Sequence, residues 1–312
     1  MSGRRAVGAR IDTGVSIGSV ELPTPVIAAS GTFGYGTEFA GLVDVAAIGA
    51  IGVKGLSLAP CPGKPAPRLV ETPAGMLNAI GLQNIGVEAF LRERLPALHA
   101  AGGRVVANFW GDSPAEFAEC AARLDGAPGV VALELNASSP NRPEWGSILA
   151  TDPRALGAIV RAVRARVRLP LWVKLSPNVA DITPVGRAAE AEGADALCAI
   201  NTLRGMAVDL TARRPRLASG SGGLSGPAIK PVALWMVHDL VRAVRIPVVG
   251  IGGIRTGEDA LEFLCCGARA VQVGTATFYD PRAPQRIGEE IVAWCRRHGV
   301  TAVRDVIGTL RP

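Results

Sequence analysis

Apolar, β-branched residues recur along the chain in eight short runs, each closed by small or polar residues. The runs are Val26–Ala29, Ala50–Val53, Arg104–Asn108, Val130–Asn136, Leu171–Leu175, Ala196–Ile200, Pro247–Ile251 and Ala270–Val273. They are nearly continuous rather than alternating, as expected of strands buried on both faces. Between them the spacing of apolar residues turns helical, at 114–124, 153–166, 185–192, 231–244 and 257–266. Ser113-Pro114 and Asp152-Pro153 each place a capping side chain before a proline in the first turn. Eight strands alternating with helices predict an α/β fold with a parallel sheet, closed as a (β/α)8 TIM barrel. An open doubly wound sheet would carry Gly-x-Gly-x-x-Gly after its first strand. The chain instead reads SGTFGYG there. Residues 55–80 and 201–230 are long connections and are expected to form a lid over the C-terminal ends of the strands. Nothing resembling a linker divides residues 1–312, so one barrel domain is expected.

Composition narrows the function without naming it. The chain has 312 residues, 48% of them apolar, which excludes long disorder. Its net charge of +6 comes mainly from single Arg residues scattered through helical stretches, with no basic stripe interleaved with aromatics, so nucleic acid is not the expected partner. Only Lys54, Lys64, Lys174 and Lys230 are lysines, so a lysine at a strand end stands out. The six cysteines lack C-x-x-C spacing and read as small buried hydrophobes of a reducing compartment. The N-terminus has charge but no apolar core of a secretory signal, and no run is long enough to span a bilayer. A cytoplasmic location is expected.

In a barrel, chemistry collects where strands end. Strands two to six close on Lys54, Asn108, Asn136, Lys174 and Asn201. Together they predict a polar floor suited to a planar amide or imide ligand, with lysine charge for a carboxylate or a reduced ring. Gly252-Gly253 and Gly274-Thr275 close the last two strands, the usual phosphate position in such barrels. His99, His238 and His298 fall in helical stretches or near the C-terminus, which argues against a histidine-based hydrolase. Glu134 lies inside a strand and is expected to pair internally. No cluster suggests a metal.

These residues sit within longer motifs: ASGTFGYG (29–36), VKG (53–55), GMLNAIGLQN (75–84), ELNASSPN (134–141), VKLSPNVA (173–180), AINTLRGMAVDL (199–210), GGLSGPAIKP (222–231), GIGGIRTGEDALEF (250–263) and VGTATFYDP (273–281). In this order the chain resembles the dihydroorotate dehydrogenases, in particular the class 1B catalytic subunit. The resemblance implies an FMN-dependent oxidation of dihydroorotate to orotate in pyrimidine biosynthesis. FMN would be held by Ser30, Lys54, Gly55, Asn108, Asn136, Lys174, Ile200, Gly226, Gly252, Gly253, Gly274 and Thr275. Dihydroorotate would contact Lys54, Asn78, Gly81, Leu82, Asn136, Asn141, Asn201 and Thr202. A hydride would leave C6 for the flavin while a base takes a proton from C5, with Lys54 beside the reacting ring. The family's motif has Cys at the base position in class 1 relatives; here the residue is Ser139, as in class 2 relatives. The resemblance also implies a homodimer and an electron-transfer partner subunit carrying FAD and a [2Fe–2S] cluster.

Two further departures are bulky: Phe109 with Trp110 after the third strand, and Trp145 after the base. They read either as lid packing or as a reshaped pocket. The second favours an alternative, a diverged FMN ene-reductase or dehydrogenase acting on another cyclic amide. A third reading, a non-catalytic flavin or phosphate-binding barrel, leaves Lys54 and Lys174 unused.

Overall fold

The computed structural model describes residues 10–39, 41–140 and 149–311. The chain opens with an antiparallel hairpin, β1 (Val15–Ile17) and β2 (Val20–Leu22). Eight parallel strands then close into a barrel: β3 (Val26–Ala28), β4 (Ala50–Gly52), β7 (Val105–Phe109), β8 (Val130–Leu135), β9 (Leu171–Lys174), β10 (Ala196–Ala199), β15 (Val248–Ile251) and β16 (Ala270–Val273). Each pairs with its neighbour in chain order, and β16 returns to β3 with Val271 opposite Val26. The expected runs and the observed strands agree to within a residue or two.

The side-chain period of two separates the barrel's two faces. Val105, Ala107, Leu133, Leu135, Val173, Leu197 and Val271 point outward into the main core shared with the surrounding helices. Those helices include α1 (Val87–Glu93), α2 (Leu95–Ala100), α3 (Pro114–Leu124), α4 (Pro153–Arg164), α5 (Thr183–Ala191), α6 (Lys230–Ala243), α7 (Gly257–Cys265), α8 (Ala276–Tyr279) and α9 (Ala283–His298). Ser113 Oγ accepts from the Glu116 amide at 3.2 Å and Asp152 Oδ1 from the Arg154 amide at 2.8 Å, so both proline-preceded caps form. Thr256 and Asp259 make a reciprocal capping box on α7.

The other face points inward. Ile27, Val106, Ala132, Trp172, Ala196, Cys198, Val249 and Ala270 form a second cluster together with Val15, Ile17, Val20 and Leu22 of the hairpin. The β1–β2 hairpin therefore plugs the N-terminal end of the barrel, and apolar packing fills that half.

The opposite end is covered by segments of residues 55–80 and 201–230, the lid expected of them, and these pair as a small antiparallel sheet. Its strands are β5 (Leu69–Thr72), β6 (Gly75–Asn78), β11 (Leu203–Gly205) and β14 (Gly222–Ser225), in the order β11-β14-β6-β5, with a short antiparallel pair, β12 (Val208–Asp209) and β13 (Arg214–Pro215), between β11 and β14 in the chain. Two distant connections thus make one lid. A Cβ on Gly75 would stand 2.0 Å from the Ser225 carbonyl oxygen, so the two strands meet only because that position is glycine. No helix among the described residues is long and apolar enough to cross a membrane.

The plug generates a stability prediction. Ile17 is fully buried. Ile17→Ala is expected to cost about 2–5 kcal/mol in a denaturant melt, because the barrel wall around it is too rigid to fill the void. A loss under about 1 kcal/mol would mean that the hairpin does not close the barrel.

Candidate active site

Two residues above the apolar plug, the same inward phase turns polar. Val106 is followed by Asn108, Ala132 by Glu134, Trp172 by Lys174 and Ala270 by Gln272, all of them buried. Glu134 is the hub. Asn108 Nδ2 donates to its Oε1 at 2.6 Å and Gln272 Nε2 to its Oε2 at 2.5 Å. Ser30 Oγ donates to Oε1 at 3.1 Å, and the Lys174 ammonium lies 3.6 Å from the same oxygen. Lys174 Nζ also donates to Ser30 Oγ at 3.1 Å. Burial alone would push the Glu134 carboxyl up. Lys174, with hydrogen bonds from Gln272, Asn108 and Cys198, overcomes this and holds it below the usual carboxylate range. The neighbouring Cys198 thiol is pushed well up, first by burial and then by the Glu134 charge.

From this hub the polar chain continues across the top of the barrel. Asn136 Nδ2 donates to Asn108 Oδ1 at 3.3 Å, and Ser138 Oγ to Asn136 Oδ1 at 3.2 Å. Asn201 Nδ2 donates to Ser138 Oγ at 2.9 Å, and the Thr202 amide to Asn201 Oδ1 at 2.8 Å. Each Asn uses one end of its amide to orient the next. Gly55 is needed beside this row, because a Cβ there would sit 2.7 Å from Asn108 Oδ1.

Between this floor and the lid lies a cavity of about 330 Å³, within the range of small-molecule sites. Lys54 enters it half-buried. Unlike Lys174, it has no ion-pair partner among the described residues. Burial, and then the nearby Arg68 charge, push its amine below the usual lysine value, against a weaker pull from Glu38. The lid loop after β6 forms one wall. Leu82 adopts φ 57° there, a left-handed conformation costly for a branched side chain. Asn84 holds this loop: its Nδ2 donates to the Leu82 carbonyl at 3.0 Å and to Ser57 Oγ at 2.8 Å, while its Oδ1 accepts the Gly86 amide at 2.8 Å.

At the other end, Gly252-Gly253 and Gly274-Thr275 close the adjacent strands β15 and β16. Gly253 has φ 74°, and a Cβ there would lie 2.7 Å from Lys230 Cβ and 3.0 Å from the Gly226 carbonyl oxygen. Lys230 itself is tied to Asp259 of α7 at 2.6 Å. Thr275 Oγ1 donates to Ser225 Oγ at 2.8 Å, which stitches the lid to this turn.

Every candidate residue within the described chain lines this cavity: Ser30, Lys54, Gly55, Asn78, Gly81, Leu82, Asn108, Asn136, Ser139, Lys174, Ile200, Asn201, Thr202, Gly226, Gly252, Gly253, Gly274 and Thr275. Asn141 and Trp145 lie outside the described residues. Sequence reasoning missed Arg68, Gln83, Ser225 and Arg255 on the cavity wall, and Asn84 and Gln272 behind it. Phe109 and Trp110 are neither lid nor pocket. Both are buried in the outer core, where Phe109 meets Phe117 of α3 edge-on at 6.3 Å.

Comparison with known proteins agrees with this architecture. Residues 13–294 match the dihydroorotate dehydrogenase family. The dihydroorotate dehydrogenase B (NAD(+)) catalytic subunit of Pelobacter propionicus is 54% identical over 299 residues, covering 96% of this chain and 98% of that protein. Its counterpart in Geobacter sulfurreducens is 53% identical, with the same coverage. The crystal structure of an Eimeria tenella dihydroorotate dehydrogenase in complex with ferulenol superimposes with a TM-score of 0.77 at 21% identity, covering 96% of this chain and 88% of that one. The chain belongs to the dihydroorotate dehydrogenase family.

Proposed function

We propose that the chain oxidises (S)-dihydroorotate to orotate in pyrimidine biosynthesis, with FMN as its flavin. The observation that carries this reading is the contrast between the two cavity lysines. Lys174 has a carboxylate beneath it, whereas Lys54 is half-buried with no ion-pair partner among the described residues. A half-buried unpaired ammonium is costly unless a ligand brings the anion, and dihydroorotate brings a carboxylate on a ring edged with amides. Asn78, Asn136 and Asn201 offer both donors and acceptors to those edges. Gly81, Leu82 and Thr202 supply the rest of the substrate wall, and Asn141 is proposed as a further contact.

The donor set also fits FMN. Lys174, Asn108 and Asn136 form a polar end; Ser30, Gly55 and Ile200 flank it. The bare backbone at Gly226, Gly252, Gly253 and Gly274, with the Thr275 amide beside it, suits a phosphate, which needs N–H groups at close approach. FMN held there would supply a two-electron acceptor for the C6 hydride. The chain's own part is to hold the ring, keep water out under the lid and remove the C5 proton. Ser139, buried on the cavity wall, is the proposed base. The curated relatives are named as catalytic subunits of an NAD(+)-linked enzyme. We infer that this chain likewise passes its electrons to a separate subunit, one carrying FAD and a [2Fe–2S] cluster, around a homodimer of this chain.

The deciding experiment is an anaerobic visible spectrum of the purified protein before and after L-dihydroorotate. A yellow protein that bleaches supports both flavin and substrate. One that stays yellow overturns the dihydroorotate reading and favours another cyclic amide, and a colourless protein that takes up no FMN overturns the flavin as well.

Two variants examine the residues. Ser139→Ala is expected to lower the reduction rate about 10²–10⁴-fold. Ser139→Cys, with a thiol near pKa 8.5, should move the pH profile toward neutral; a profile matching wild type would exclude Ser139 as the limiting base. The depressed Lys54 pKa also has a sign. Its ammonium is lost at lower pH than that of an ordinary lysine, so substrate KM should rise with pH in the alkaline range. Amine acetylation read by mass spectrometry should modify Lys54 at lower pH than Lys230, whose two carboxylate partners raise its pKa, and orotate should protect Lys54. Equal labelling of the two lysines at every pH would contradict this.

A further inference from the structure

Glu134 has no role in the reaction just described. It is fully buried and does not reach the cavity wall, yet three of its partners, Ser30, Asn108 and Lys174, do. A carboxylate is expensive in a barrel interior, and a neutral side chain of the same shape could support Asn108 and Ser30. Gln272 indicates that the group is ionised. Its amide donates Nε2 to Glu134 Oε2 at 2.5 Å while its own buried Oε1 has no hydrogen-bond partner among the described residues. An amide gives up its acceptor in this way when it faces a charge that needs a donor.

Resting on the flavin reading above, we propose that Glu134 is a positioning residue that sets the flavin's reduction potential through Lys174. Its carboxylate, 3.6 Å from the ammonium, cancels part of the positive field that Lys174 presents to the cavity. Hydride transfer delivers two electrons and one proton, so the ring gains one negative charge. The more of the Lys174 charge that reaches the ring, the more easily the ring is reduced and the less readily it gives the electrons up. Glu134 thus holds the potential low enough for the electrons to leave. Gln272 adjusts the same balance from the other side, by spreading part of the carboxylate's charge.

The test is a spectroelectrochemical titration of FMN bound to wild type, Glu134→Gln and Gln272→Leu. Glu134→Gln keeps shape and hydrogen-bond reach but removes the charge. It is expected to favour two-electron reduction at least tenfold, about 30 mV more positive. Gln272→Leu leaves the carboxylate less neutralised and should move the potential in the opposite direction. If Glu134→Gln does not fold, the Gln272→Leu shift still decides. A merely structural role would lower melting temperature and FMN occupancy while leaving the potential of the bound fraction at the wild-type value. That result overturns the proposal, as does a shift of either variant with the wrong sign. A wild-type protein that binds no flavin overturns the underlying functional reading instead.

Discussion

One buried carboxylate organises the upper half of this barrel. The Glu134 carboxylate stands where β8 leaves the apolar plug, and it is tolerated only because four other barrel strands, its neighbours β7 and β9 and the more distant β3 and β16, each send it a partner. Ser30 follows β3, Asn108 lies on β7, Lys174 ends β9 and Gln272 lies on β16. Removing one member of such a buried pair typically costs about 3–5 kcal/mol, because the remaining charge is stranded. The same carboxylate that complicates folding therefore fixes the rotamers of three cavity-facing side chains. The Asn136–Ser138–Asn201 row inherits its orientation from Asn108 in turn.

The division between the two barrel ends follows from this. Below Glu134, the inward residues are apolar or small and pack against the β1–β2 hairpin. Stability is concentrated there, away from the polar layer whose desolvation must be offset bond by bond. Above it, the lid is not a loose flap. Thr275 bonds Ser225, Asn178 Nδ2 donates to the Thr202 carbonyl at 3.1 Å, and the Arg204 amide donates to Asn178 Oδ1 at 2.8 Å. Lid and floor are joined at both ends of the cavity, so the site is largely formed before a ligand arrives.

Much of this was legible in the sequence. The eight strands announce themselves as apolar runs, and the closing Lys and Asn residues mark the cavity because a barrel strand's end has one fate. What stayed hidden depends on long-range partners. Gln272 sits within the four-residue strand AVQV, where nothing local says that its partner is 138 residues away. Asn84 looks like one more polar loop residue until Ser57 is brought beside it. The outward placement of Phe109, by contrast, is written in the strand's own alternation. With Val106 and Asn108 facing inward, strand alternation sends Phe109 outward to the helices, so its bulk never bears on the pocket. Arg68 and Ser225 belong to lid strands or their flanks, whose register is set by each other rather than by the barrel.

The two cavity lysines show how one residue type serves opposite needs. Lys174 is supplied with its counter-charge by the chain and is nearly fully buried. It provides a steady, partly neutralised field that does not depend on what is bound. Lys54 is left without one among the described residues, in a setting that already weakens its hold on a proton. An anion arriving there relieves a cost that the folded protein has carried, so the interaction counts for more than the same contact at an exposed surface, where water already solvates the amine. Exchanging the two arrangements would spoil both functions. A paired Lys54 would gain little from an arriving anion, and an unpaired Lys174 would leave its charge buried without a counter-charge.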